Sequence, residues 1–360
     1  TTEDFNVLEG SPDLIWEAGQ TIQYYITAVD DIGDTAYFPA DSDIDSTAYF
    51  RFQILPLGRT INGSQKILIV DDYTRPDLDF ENSTGFLPTG GAGYGSFTDA
   101  VFDQPEDMVE RALMLLAGGD EDGTQPPLDG GPKWDIYNVF GGGSSVTCEP
   151  RVIESQSTGL GGIVSALGQT RYDAVIWLQG TFDNYSYADS TAADLPAYLD
   201  NGGHFLGFGS EVVEWATGDV GTTEVSTFFK QYLGTQYAGA QAGWRVCNFT
   251  GRAGTELEGL KFGLYGECNG IRKEYDGLAL SVLVPATNVA LADYTDSNDP
   301  VNPVSGIAII ANHNNSEGWG VQTGFDIGSM LSDESRACFI GSILSSRFGI
   351  TGLDTDICGG

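Results

Sequence analysis

The sequence predicts an α/β fold: a three-layer domain with a mostly parallel sheet and a β-rich insertion, preceded by a partial β-sandwich. Three observations predict it. Short runs without polar alternation recur at 67–70, 174–178 and 204–208, each closed by Asp, Gln or Gly. Runs without polar alternation suit strands buried on both faces, which belong to parallel sheets covered by helices. Apolar stripes at helical spacing lie between these runs, as in Met108, Val109, Ala112, Leu113, Leu115 and Leu116. The first 58 residues are different, with β-rich, partly alternating wording and no helical stripe.

Taken in order, residues 20–29 (Gln-Thr-Ile-Gln-Tyr-Tyr-Ile-Thr-Ala-Val) read as strand, and Asp30-Asp31-Ile-Gly33-Asp34 as a turn. Residues 48–55 are a second strand, broken by Pro56 and Gly58. About four strands fit into 1–58, while a closed sandwich needs seven or more. A linker follows, and the large domain spans 66–350, with insertions at about 73–104 and 235–290 and a tail at 351–360. Lys66-Ile-Leu-Ile-Val-Asp-Asp72 is its first strand. The Gly-, Pro- and Asp-rich 73–104 segment is too long for an ordinary βα loop and is expected on the binding face. A helix starts at Pro105 and ends at Gly118-Gly119. Residues 134–140 form the second strand, 159–167 a short helix, 174–178 the third strand, 191–199 a helix, and 204–209 the fourth strand. A helix over 222–232 precedes the β-rich insertion. Two further strands, 306–311 and 318–324, flank Asn312-His313-Asn314-Asn315. The last helix runs from Ser332 to Phe348, with Gly349 as its C′ residue.

The charge balance limits the partners. Sixteen Lys and Arg against 51 Asp and Glu give a net −35, which repels nucleic acid and anionic membranes. No run is long enough to insert into a bilayer. Few Lys and many Asp suit a secreted or salt-exposed protein. Thr1, with no Met or signal peptide ahead of it, reads as a processed or engineered start. The five cysteines are Cys148, Cys247, Cys268, Cys338 and Cys358, without a C-x-x-C pair. Cys247 and Cys268 flank a Gly-rich, strand-like region and are the expected disulfide in an oxidising compartment. The odd count leaves at least one thiol free or intermolecular.

Several phrases carry a resemblance. Lys-Ile-Leu-Ile-Val-Asp-Asp at 66, Tyr-Asp-Ala-Val-Ile-Trp-Leu-Gln-Gly at 172, Tyr-Leu-Asp-Asn-Gly-Gly at 198 and Gly-Trp-Gly-Val-Gln-Thr-Gly-Phe-Asp at 318 resemble a bacterial surface module with a class I glutamine amidotransferase-like, flavodoxin-like fold. The wording of 20–33 resembles the closing strands of immunoglobulin-like sandwiches. The resemblance covers about 66–350 and implies a secreted, multidomain setting. Catalytic members of the family carry a Cys nucleophile at the strand-to-helix elbow, where this chain has Gly207-Phe208-Gly209-Ser210-Glu211. Where they carry His-Pro-Glu, it has Gly324-Phe325-Asp326. The implied triad is absent. The wording at 66–72 also resembles response-regulator receiver domains, but the strand at 174–178 does not end in the Asp that such a domain phosphorylates.

The candidate sites follow from this frame. Ser210 and Glu211 fall on the carboxyl edge of the sheet, where open α/β sheets bind ligands, and helix capping by Ser210 is the competing reading. His313 is the base that a hydrolase would recruit; a hydrogen-bonded structural role is the alternative. Asp71 and Asp72 end the first strand, and Asp41, Asp43 and Asp45 alternate as in calcium loops, though without the Gly and distal Glu of an EF-hand. Calcium is the cation these acids would take. Capping and solvated surface charge are the competing readings, and no other cofactor is indicated.

The sequence therefore points to a non-catalytic structural or adhesive module of a secreted or cell-surface protein, a subunit of an extracellular assembly. Its partners would be other domains or copies of the same surface protein. One alternative is a degenerate hydrolase using Ser210 and Glu211. The other is a carbohydrate-binding module, whose glycan partner would meet loop aromatics such as Tyr185, Tyr187, Trp215 and Trp244.

Overall fold

The first unit, Thr1–Pro56, and the second, Leu57–Gly360, separate as two compact bodies. The computed structural model describes residues 21–24, 26–29, 35–38, 50–53, 65–72, 105–118, 133–138, 172–179, 189–209, 212–218, 223–241, 246–264, 281–285, 289–297, 306–313 and 317–359. In the first unit β1 (Thr21–Tyr24) pairs antiparallel with β4 (Phe50–Gln53), and β2 (Ile26–Val29) pairs antiparallel with β3 (Thr35–Phe38). The predicted turn at 30–34 lies outside the described residues. Among the described residues this unit holds two two-stranded sheets.

The second unit is built on one sheet of 11 strands. Its centre is β5 (Lys66–Asp72), with β6 (Lys133–Asn138) on one side and β7 (Ala174–Gln179) on the other, both parallel to it. Then come β8 (His204–Phe208), parallel to β7, and β15 (Gly320–Thr323), parallel to β8. The five parallel strands, numbered by their order in the chain, therefore lie 2-1-3-4-5. Ile67–Val70, Ala174–Trp177 and Phe205–Leu206 are fully buried. This is why those stretches carry no polar alternation.

The sheet is mixed rather than mostly parallel. The strands β9 (Thr235–Gln241), β10 (Val246–Gly251), β11 (Lys261–Gly263), β12 (Ser281–Pro285), β13 (Val289–Ser297) and β14 (Gly306–Asn312) all pair antiparallel. The order β15-β14-β13-β10-β11 continues the central sheet, and β12 joins β14 to β9. A short connection explains the change of direction. Seven residues separate β14 from β15, too few to carry a parallel crossover. The β-rich region at 235–290 is thus an extension of the main sheet.

Helices cover both faces. Alternate residues of β5 enter different layers: Ile67 and Ile69 pack with Val109, Leu113, Phe339 and Ile340, while Leu68 and Val70 pack with Leu195, Tyr198, Val213 and Phe228. The first layer belongs to α1 (Pro105–Leu116) and α5 (Asp333–Ser342). The second belongs to α2 (Asp189–Asp200), α3 (Val212–Thr217), α4 (Thr223–Thr227) and a π-helical segment, Phe228–Tyr232. Pro105 opens α1 at a position whose N–H is unneeded, and Gly118 leaves it at φ 76°. Ser332 caps α5 by accepting the Ser335 N–H. A π-helical turn, Ile343–Arg347, continues α5, and Gly349 ends it at φ 69°. The close approach of α5 to α1 needs Gly341, where a Cβ would fall 2.4 Å from Leu116. The predicted helix at 159–167 and the insertion at 73–104 lie outside the described residues, and among those described no helix is long and apolar enough to cross a membrane.

Candidate functional site

The parallel strands end on a common carboxyl edge, and the strand order reverses beside β5. The backbone of Asp71 pairs with Asn138 and Leu178, and that of Asp72 with Gln179. The two acids therefore stand at the topological switch point, where sheets of this kind take ligands. Their side chains are outside what is described. At the next strand, Gly209 N–H donates to Phe325 O at 3.0 Å, and α3 begins at Val212. The elbow that carries Ser210 and Glu211 is thus bounded by Gly209 and Val212. Ser210, Glu211 and the residues Asp41, Asp43 and Asp45 themselves lie outside the described residues.

Beside Gly209 the chain leaves β15 through Phe325, which stacks on Phe249 at 4.8 Å and meets Phe208 edge-on at 6.3 Å. The next residue is Asp326, with no exposed surface. One carboxylate oxygen, Oδ1, accepts the Ser329 N–H at 3.0 Å and caps the 3₁₀ turn Ile327–Ser329. The other, Oδ2, is buried without a partner. Burial pushes the Asp326 carboxyl up to about 6, against the pull of the Ser329 and Gly328 N–H groups and of Arg336. The buried Tyr294 phenol is pushed well above its usual range, first by burial and then by Asp326. Arg336 is itself occupied: it donates to Ile327 O at 3.2 Å, Met330 O at 2.7 Å and Asp333 Oδ1 at 2.5 Å. Asp333 also binds Arg111 of α1, at 2.8 Å.

On the other face of the sheet Gln322 shows a similar deficit. Its Nε2 donates to Thr323 O at 2.9 Å, and its buried Oε1 has no partner. Gly207 makes room for it, since a Cβ there would stand 2.3 Å from that oxygen. An unpaired buried oxygen costs on the order of 1–3 kcal/mol. This part of the sheet can hold a proton on Asp326 near pH 6, but the group is sealed from solvent.

His313 lies at the opposite end. Asn312 pairs with Gly320, which pairs with Phe205. Four residue steps separate Phe205 from Gly209, about 13 Å at the usual rise. The structure does not bring His313 to the edge on which Ser210 follows Gly209. Its Nδ1 lies 2.9 Å from Gly318 O, and its ring stacks on Trp319 at 4.5 Å. Nearby, His204 Nδ1 accepts the Trp319 N–H at 3.0 Å, and its ring stacks on Phe348 at 4.8 Å. Arg347 lies 4.3 Å over the Trp319 ring and forms a bidentate, nearly buried ion pair with Glu256.

Cys247 is disulfide-bonded, and its proposed partner Cys268 lies outside the described residues. A second bond joins Cys338 of α5 to Cys358 in the tail, with Cα atoms 4.9 Å apart. The sequence reading missed this pair, because a separation of 20 residues matches no spacing signal. It also missed Asp326 as a polar centre, although the departure from His-Pro-Glu at Gly324-Phe325-Asp326 marked the place. Among the described residues no group of three or more His, Cys, Asp or Glu is arranged to hold a metal. No protein-family model matches the chain, and no curated protein matches it in sequence.

Proposed function

We propose that the chain is a non-catalytic structural or adhesive module of a secreted or cell-surface protein, acting as a subunit of an extracellular assembly. The observation that carries this reading is the Cys338–Cys358 bond, which staples the tail to α5. Together with the bonded Cys247, it suits a compartment that keeps disulfides oxidised. The net charge of −35 suits a solvated exterior. In this reading the second unit is a flavodoxin-like, amidotransferase-like domain without its thiol nucleophile, a view supported by the 2-1-3-4-5 order of its parallel strands. The first unit is a partial immunoglobulin-like sandwich whose open edges pair with another copy or domain. Calcium at the Asp71–Asp72 edge and at Asp41, Asp43 and Asp45 belongs to the same proposal.

Sedimentation velocity on the intact chain tests it. Reversible self-association, weakened by Ile26→Lys in β2, is the expected result. A strictly monomeric chain that hydrolyses glutamine, and stops doing so on Ser210→Ala, would overturn the reading.

A further inference from the structure

Both histidines of the chain hold the same peptide group. Gly318 O and Trp319 N–H belong to one peptide plane. A carbonyl can only accept, so His313 Nδ1 must carry a proton and donate to Gly318 O, 2.9 Å away. An amide N–H can only donate, so His204 Nδ1 must be unprotonated to accept from Trp319 N–H, 3.0 Å away. We propose that His204, His313 and the Gly318–Trp319 peptide form an acid-sensitive latch, which closes the amino end of β8 onto β15 at neutral pH and releases it in acid.

The chemistry follows from the donor pattern. A proton added to His204 Nδ1 turns the acceptor into a second donor facing the Trp319 N–H, and the hydrogen bond is lost. Trp319 also accepts the Phe205 N–H through its carbonyl, at 2.8 Å, so the latch sits where the β8–β15 pairing begins. Phe348, stacked on the His204 ring, ties the end of the last helix to the same point. The surrounding charges set the threshold. Burial resists the imidazolium and holds the His204 ring down to about 4; Asp173 favours the charged form, and a charged His313 opposes it. Asp173 is already engaged by the Lys66 N–H at 2.8 Å, and the Lys66 ammonium lies 6.0 Å over the Tyr172 ring. Arg347, which lies over the Trp319 ring, is paired with Glu256, and Glu317 lies beside Gly202.

The sign of the effect is fixed. The folded-state value lies below that of a free histidine, so the unfolded chain binds the proton more readily. His204 therefore contributes stability that is whole above pH 6.5 and is lost as the pH falls toward 4.

Only two histidines are present, so ring NMR signals of the histidine-labelled intact chain separate them. The His204 ring is expected to stay neutral down to about pH 4, and its protonation should coincide with loss of hydrogen-exchange protection at the Trp319 amide. In His204→Asn an amide oxygen takes the place of Nδ1 and cannot be protonated in this range. Trp319 should then stay protected, and the wild-type folding constant should fall up to about 300-fold relative to this variant between pH 6.5 and 4. A His204 ring that titrates near 6.5 in the folded chain would overturn the proposal. So would a Trp319 amide that opens with the same pH dependence in both proteins. The ring titration needs no variant and decides the matter even if His204→Asn does not fold.

Discussion

The two ends of the parallel strands solve the burial of polar groups in opposite ways. At the amino end each ring nitrogen that faces the Gly318–Trp319 peptide has its complement, and Arg347 has both Glu256 and the Trp319 ring. Toward the carboxyl end, Asp326 and Gln322 each keep a buried oxygen without a partner, and the third such oxygen among the described residues, Thr235 Oγ1, belongs to the residue after Gly234, which packs on Asn312. A satisfied polar network in a low dielectric rigidifies a fold, and an unsatisfied one costs stability. The amino end thus behaves as the fastening of the sheet. The one buried carboxylate oxygen without a partner among the described residues thus lies toward the edge that carries Asp71, Asp72 and the Ser210 elbow. In open α/β sheets that is also the edge left for ligands.

Substitutions at each end should separate these roles. The largest loss is expected from Glu256→Gln, which leaves the Arg347 guanidinium without its charge partner in a nearly buried site; chemical unfolding should register about 3–5 kcal/mol. Removing the staple with the double substitution Cys338→Ser and Cys358→Ser should cost about 3 kcal/mol, for a loop closed over a separation of 20 residues. A loss well under 1 kcal/mol would mean that the tail is not held by this bond. Ser332→Ala removes the cap of α5 and should lower stability by about 1 kcal/mol. The smallest effect concerns the carboxyl edge. If its acids and those at Asp41, Asp43 and Asp45 bind calcium, millimolar-scale calcium should raise Tm by mass action. An unchanged Tm would leave them as surface charge.

The sequence disclosed these two ends unequally. The strands β5, β7 and β8 were legible because double-sided burial leaves runs without polar alternation, and α1 because its stripe is bounded by Pro105 and Gly118. The antiparallel flank was legible as β-rich but not as part of the same sheet. Its membership depends on pairings such as Ala290 with Ile310, which no local pattern encodes. The polar centres were hidden for the same reason. His204 reads as a hydrogen-bonded structural residue at the start of a strand, but its partner, Trp319, lies 115 positions away. Asp326 reads as one more acid among 51 until its burial is known. The elbow was located by its Gly-Phe-Gly-Ser-Glu wording, while the side chains it presents fall outside the described residues.

The contrast between the ends is tested most directly by measuring Asp326→Asn beside Glu256→Gln. Each substitution removes one negative charge from a chain of net −35, so any general relief of repulsion is common to both. Asp326 binds its proton more tightly in the folded chain, with its carboxyl raised from 3.8 to about 6. Its ionisation therefore erodes stability as the pH rises through that window. At pH 7 Asp326→Asn should stabilise the fold by up to roughly 3 kcal/mol, with the gain vanishing below pH 4, while Glu256→Gln destabilises it. Opposite signs at pH 7 are the predicted result. A loss of stability in both variants, with no pH dependence in the Asp326→Asn difference, would contradict the account.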